Sequence, residues 1–219
     1  MKQAILITGG SIDTDYMSSV YKRFEDDCFV LGVDGGCKSA LSANVSLDAI
    51  IGDFDTLDES IKKEITDSGV KTITLNPVKD VTDTHAALDY LFIHEYTKVI
   101  VFGARGTRLD HTLGNLMVAF SYFPKMIVEF IDEHNCIRQF QGPAVIKGKK
   151  QDRYKYLSII PIEESFVKST SGLKYPVTNR KFNVFDSFGI SNEIVGTKDD
   201  DCYSIEFEFG KFFVIESSD

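Results

Sequence analysis

Tryptophan is absent from the 219 residues, and cysteine and histidine occur only four times each. Cys28, Cys37, Cys136 and Cys202 are scattered and form no CxxC pair, so their spacing indicates neither a zinc site nor a disulfide framework. Reduced thiols of a cytoplasmic protein are the expectation. Long apolar runs are missing too, and none approaches the roughly 20 residues that cross a bilayer. Met1-Lys2-Gln3 leads straight into a strand-like run without a small-residue cleavage site, so no signal peptide is expected. Basic charge is the scarcer sign: 24 Lys and Arg against 33 Asp and Glu leave a net charge of −9. That balance argues against nucleic acid or an anionic membrane as partner. A chain this acidic handles a polyanion only with a divalent cation or a few well-placed basic groups.

The composition that remains is globular. A hydrophobic fraction of 43% and a charged fraction of 26% exclude disorder, collagen and coiled coil. The length suits one large domain or two small ones. It supplies a core without disulfide or metal staples.

The pattern changes near residue 133. Before it, apolar runs at 4–7, 28–33, 49–51, 72–75, 99–102 and 127–131 each end in Gly, Asp or Asn-Pro. Short, β-branched, nearly continuous runs are the signature of parallel strands buried on both faces. Helical patterns lie between them. Asp58 is predicted to cap a helix to residue 68. Thr82 is predicted to cap one to residue 95, with Ala86, Ala87, Leu88, Leu91 and Phe92 inward. Asp110 is predicted to cap one to residue 123, with Leu113, Leu116, Met117 and Phe120 inward. Repeated strand–helix units imply a parallel α/β sheet with right-handed crossovers. After Asn135 the pattern is short strands and turns. Residues 156–160 read as a strand stopped by Pro161. Residues 202–209 alternate, with Ile205, Phe207 and Phe209 on one face and Glu206 and Glu208 on the other. Gly210-Lys211 turns into a strand at 212–215. The expected organisation is an α/β domain over 1–133 and a small all-β sandwich or barrel over 134–219.

In an open parallel sheet, ligands bind beyond the carboxyl ends of the strands. Those ends carry Asp34; Asp53 and Asp55; Lys79, Asp80 and Asp83; Arg105, Arg108 and Asp110. Carboxylates so gathered repel one another and call for a compensating cation. Clustered hard oxygens suit Mg²⁺, which shares its remaining positions with water and phosphates. Asp after a strand also serves as a helix N-cap, so each residue alone is ambiguous. Four coincident strand ends exceed what capping requires. The i, i+2 spacing of Asp53 and Asp55 puts both on one side of an extended segment. With Thr56-Leu57 the segment also resembles the nucleophile motif of haloacid-dehalogenase phosphatases, so a Mg²⁺-dependent phosphatase is the alternative reading. Thr8-Gly9-Gly10 and Asp34-Gly35-Gly36 let a ligand approach the backbone, although neither is a P-loop or dinucleotide fingerprint. Residues 103–108 form a flexible loop bearing two guanidinium groups suited to a transferring phosphate. One of them can equally neutralise a neighbouring Asp. His111, at the start of a helix beside Asp110, reads either as a phosphate donor or, in preference, as a hydrogen bond closing its helix turn, and His85 as a solvated side chain.

Taken in order, Asp34-Gly35-Gly36, Gly52-Asp53-Phe54-Asp55, Lys79-Asp80 with Thr82-Asp83, and residues 103–111 with Asn115 resemble the thiamine pyrophosphokinase family. Gly172-Leu173-Lys174-Tyr175-Pro176 and Gly189-Ile190-Ser191-Asn192-Glu193 extend the resemblance over nearly the whole chain. Thr56 departs from it, since the family more usually has Ser there, but a hydroxyl is kept. The absence of tryptophan removes a residue that some members place against the thiamine ring. The resemblance implies ATP-dependent pyrophosphoryl transfer to the hydroxyl of thiamine, giving thiamine diphosphate and AMP. It implies a Rossmann-like N-terminal catalytic domain and a C-terminal β domain that binds thiamine. It also implies a cytoplasmic homodimer with active sites shared between subunits. Asp53, Asp55 and Asp83 would hold Mg²⁺ on the ATP phosphates, with Asp34 nearby. Arg108 and Lys79 would neutralise phosphate charge, and Asp110 would complete the polar site. Gly35, Asp80, Thr82 and Asn115 would join the nucleotide site, and Ser191 and Asn192 would sit at thiamine.

Overall fold

A computed structural model describes residues 1–24, 27–52, 58–74, 81–197 and 201–219, with the side chains of Glu64 and Thr66 also left out. Contacts divide the chain into two compact units, Met1–Glu133 and His134–Asp219. The first unit is built on parallel strands. They are β1 (Gln3–Ile7), β2 (Cys28–Val33), β3 (Ala49–Gly52), β4 (Lys71–Thr74), β5 (Lys98–Phe102) and β6 (Ile127–Ile131). Their spatial order is β6-β5-β1-β2-β3-β4. β1 sits between β2 and β5, with Ile5 opposite both Val30 and Ile100. The chain moves outward from β1 to β4, then crosses back to β5 on the other side of β1. The carboxyl ends of β1 and β5 therefore flank a topological switch point, where helices leave in opposite directions and open a crevice.

The helices are α1 (Thr14–Tyr21), α2 (Gly36–Ser42), α3 (Glu59–Asp67), α4 (Asp83–Ile93) and α5 (Leu109–Val118). Met17, Val20 and Tyr21 of α1 and Ala40 of α2 share one core with Ile5, Ile7, Val30, Ile100 and Phe102. Thr82 caps α4 as expected, its Oγ1 accepting from the His85 N–H at 3.2 Å. Helix α5 departs from expectation. Arg108, not Asp110, occupies the N-cap position, and its side chain makes no capping hydrogen bond. Asp110 lies in the first turn and accepts from Arg108 instead. Leu113 and Met117 were expected inside, yet they are exposed, and with Leu109 they form an outward stripe. The residue α5 buries is Asn115, because its inner face serves a polar loop.

The second unit holds β7 (Asn135–Gln141), β8 (Ala144–Lys149), β9 (Tyr156–Pro161), β10 (Ser165–Ser171), β11 (Thr178–Phe182), β12 (Asn192–Glu193), β13 (Cys202–Phe209) and β14 (Lys211–Ser217). They form two antiparallel groups, β12-β9-β14-β7 and β11-β10-β13-β8. Leu157, Ile159, Phe212 and Val214 of the first group share a core with Ile146, Val167, Phe182, Ile205 and Phe207 of the second. Phe209 breaks the expected alternation and is exposed. Phe166 pairs with Phe209 but the adjacent Val167 pairs with Phe207, so β13 holds an extra residue there. Such a bulge re-aims the side chains beyond it, and Phe209 stacks on Phe166 at 6.0 Å. Beneath β13 lies a buried polar cluster. Glu216 accepts from Arg138 at 2.9 Å and from the Tyr203 hydroxyl at 2.7 Å.

Candidate active site

A crevice of about 360 Å³ opens at the carboxyl ends of β1, β2 and β5. Thr8, Gly9 and Gly10 line it from the end of β1, and Val33, Asp34 and Gly35 from the end of β2. Thr82, Asp83 and Thr84 bring the amino end of α4. The loop after β5 contributes Gly103, Ala104, Gly106, Thr107 and Arg108, and α5 contributes His111 and Asn115.

The floor is laced by backbone. Thr8 N donates to Phe102 O at 2.9 Å, Gly10 N to Gly103 O at 3.0 Å and Ser11 N to Arg105 O at 2.7 Å. This close approach requires glycine at position 10, where a Cβ would overlap the carbonyl oxygens of Gly103 and Arg105. Helix α5 holds the loop from above. Asn115 Nδ2 donates to Ala104 O at 3.0 Å. Thr112 Oγ1 accepts from Gly106 N at 3.4 Å and donates to Arg108 O at 3.2 Å. A polar inner face on α5 thus fixes the loop that carries Arg108.

The two arginines have different surroundings. Arg105 does not line the crevice. It is ion-paired with Asp132 at 3.0 Å and Glu133 at 3.4 Å. Arg108 lines the crevice and makes a two-pronged contact with Asp110, Nε to Oδ1 at 3.2 Å and Nη2 to Oδ2 at 2.6 Å. That hydrogen bond holds the Asp110 carboxyl below its ordinary pKa and raises that of Arg108. Burial pushes the Cys37 thiol, in the first turn of α2, up to about 12, with the Asp34 charge adding to the rise. It is an inert thiol.

The expected site residues Asp34, Gly35, Thr82, Asp83, Arg108 and Asn115 meet in this crevice, and Asp110 stands beside it on Arg108. Asp53, Asp55, Thr56, Lys79 and Asp80 lie outside the described residues. Ser191 and Asn192 lie in the second unit. Ser191 has φ 60° and donates its N–H to Ser158 Oγ at 3.0 Å. The Asn192 amide clamps the backbone of Tyr175, accepting from its N–H at 3.0 Å and donating to its carbonyl at 2.7 Å. The Tyr175 ring is left exposed. His111, the last residue of the 103–111 motif, lines the crevice, and so does Thr84, which the motifs did not single out. The signal for Thr84 was position, two residues beyond a helix cap. His85 is not simply solvated. Its ring stands edge-on to Tyr122, whose hydroxyl donates to Asp89 at 2.8 Å.

A glycine floor, a helix amino end, an arginine and carboxylates at a topological switch point define an α/β protein that holds a phosphorylated ligand. Comparison with known proteins gives the family. Residues 20–130 match the thiamin pyrophosphokinase catalytic domain and residues 144–211 the thiamin pyrophosphokinase vitamin B1 binding domain. The chain belongs to the thiamin pyrophosphokinase family. It is 29% identical over 191 residues to the thiamine pyrophosphokinase of Bacillus subtilis (strain 168), covering 86% of this chain and 87% of that protein. The crystal structure of thiamine pyrophosphokinase from Bacillus subtilis matches with a TM-score of 0.88 at 26% identity, over 100% of both chains. That of thiamin pyrophosphokinase from Geobacillus thermodenitrificans matches with a TM-score of 0.84 at 29% identity, over 100% of this chain and 98% of the other. The family activity is ATP-dependent pyrophosphoryl transfer to thiamine, giving thiamine diphosphate. The phosphatase alternative drawn from Asp53-Phe54-Asp55 finds no support: neither domain match is to a phosphatase.

Proposed function

We propose that residues 1–133 form a Rossmann-like ATP-binding catalytic domain and residues 134–219 a β-sandwich for thiamine binding and dimerisation. The observation that carries this is the meeting of Asp34, Thr82, Asp83, Arg108 and Asn115 in one glycine-floored crevice. In the reaction the thiamine hydroxyl oxygen bonds to the β-phosphorus of ATP. The bond from that phosphorus to the bridging α–β oxygen breaks, so the β- and γ-phosphates move together and AMP leaves. Arg108 and Lys79 neutralise phosphate charge, with Gly35, Asp80 and Thr82 shaping the nucleotide site. A carboxylate, Asp55 or Asp83, takes the hydroxyl proton. Loose transition states of this kind depend on alignment and charge more than on a strong base.

Mg²⁺ belongs to the reading, held by Asp53, Asp55 and Asp83. When bound it lowers the repulsion between nucleophile and polyphosphate. The donor chemistry fits, because Asp34 and Asp83 present hard oxygens to the same crevice. Among the described residues no group of three or more His, Cys, Asp or Glu could hold a metal, so the proposed set depends on residues 53–57. The test is direct. Incubation with ATP, Mg²⁺ and thiamine is expected to yield thiamine diphosphate and AMP in equal amounts, and EDTA to stop it. ADP with thiamine monophosphate would refute the transfer, and phosphate release without thiamine would favour a phosphatase.

The reading extends to a cytoplasmic homodimer whose sites each use two chains, with Ser191 and Asn192 supplied by the second subunit. Two observations support a docked second copy: the exposed stripe of Leu109, Leu113 and Met117, and the fully exposed ring of Phe185. Co-expressing Asp53→Asn with Asn192→Ala tests the sharing. A two-fold dimer that mixes them has one doubly damaged site and one intact site, so roughly a quarter of wild-type activity is expected to return. No return despite confirmed mixed dimers would place each site within one chain.

A further inference from the structure

Strands β2 and β3 run side by side in register, with Gly32 opposite Ile50 and Val33 opposite Ile51. The residue at the end of each has a positive φ. Asp34 has φ 42° and Gly52 has φ 153°. A non-glycine residue at positive φ is held there against a local cost, and Asp34 is one of the residues that line the crevice. The room for its carboxylate lies on the neighbouring strand. A Cβ placed on Gly52 would overlap Asp34 Oδ1 and stand 2.6 Å from its Cγ and 3.1 Å from its Oδ2. The Asp34 carboxylate therefore occupies the space that any side chain at position 52 would need.

We propose that Gly52 is a positioning residue for pyrophosphoryl transfer: by lacking a side chain it seats the Asp34 carboxylate across the end of β3. The inference rests on reading the crevice as the nucleotide site. In this arrangement the two strand ends form one unit, and Asp34 reaches the end of β3 because residue 52 is glycine. Gly52 itself does not touch the reacting atoms. Its effect passes through Asp34.

A four-protein cycle tests the pairing: wild type, Gly52→Ala, Asp34→Ala and the double variant. The readouts are the Kd for ATP in saturating Mg²⁺ by calorimetry, the thermal midpoint, and kcat and KM. Alanine at position 52 meets the same unfavourable φ in both backgrounds, so the difference between backgrounds isolates the carboxylate. Gly52→Ala is expected to weaken ATP at least about tenfold when Asp34 is present and no more than about twofold when residue 34 is alanine. The double variant is expected to melt above Gly52→Ala alone, since the overlap is relieved, and this readout survives if Gly52→Ala folds poorly. Equal losses in the two backgrounds, or an unaffected Gly52→Ala, would overturn the proposal. A wild-type protein that binds ATP but makes no thiamine diphosphate would count against the assigned reaction and leave the pairing standing.

Discussion

Asp53→Asn is expected to lower turnover by at least about 100-fold, the scale of a metal-site charge that supplies several kcal/mol of transition-state stabilisation. The substitution keeps size and removes one negative charge from the proposed metal-binding set, which would stand with Asp34 and Asp83 of the crevice. Relief of carboxylate repulsion leaves the unliganded fold intact or stabilised. Rates of thiamine diphosphate formation at saturating Mg²⁺, with circular dichroism as a folding control, check it. A near-normal rate would reduce Asp53 to a helix cap.

Glu216→Ala is expected to cost about 3–5 kcal/mol of stability, the range for removing one partner of a buried ion pair. The Glu216 side chain is 2% exposed and that of Arg138 22%. Removal leaves the guanidinium without its carboxylate and takes away the acceptor of the Tyr203 hydroxyl, whose pKa is raised by burial and by the Glu216 charge. Glu216→Gln keeps an acceptor and is expected to lose less. Urea unfolding of the two variants separates charge from hydrogen bonding. Equal, small losses in both would show that the cluster contributes little.

Strands β1, β2, β3 and β5 were legible because both of their faces are buried, which leaves short, nearly continuous apolar runs ending in Gly or Asp, whereas β4 is largely exposed. The runs read at 28–33 and 127–131 coincide with β2 and β6. Helix α1 escaped because eight residues with Ser18 and Ser19 among them carry too little period. Helix α2 begins at Gly36, directly after a glycine that reads only as a turn. In the second unit β11 was invisible. Four of its five residues are exposed, and it is a strand only because it pairs with β10. The stripe on α5 was legible as apolar but not as outward-facing. Periodicity gives a face, whereas the Ala104 carbonyl held by Asn115 decides which face is inside.

Among site residues, the rule that ligands gather at strand ends was enough to bring Asp34, Asp83 and Arg108 to one place. It could not separate Arg105 from Arg108. That choice is made by Asp132 and Glu133, more than 25 residues away in the chain. Nor could it find the Tyr175 clamp, because the Asn192 amide is committed to backbone 17 residues distant. Thiamine itself came only from the family resemblance, since no spacing of residues names a ring system.

The Arg108–Asp110 pair makes the rim of the crevice self-neutralising. An arriving anion does not meet a bare cation. It displaces a carboxylate tethered two residues away, an internal competitor present at high effective concentration. Such an exchange discriminates by valence, because a ligand with several negative charges displaces the tethered carboxylate more readily than a ligand with one. In the proposed reaction the triphosphate takes Arg108 on entry, and Asp110 reclaims it as the nucleotide is reduced to a monophosphate. On that reading the rim would favour shedding spent nucleotide and readmitting fresh.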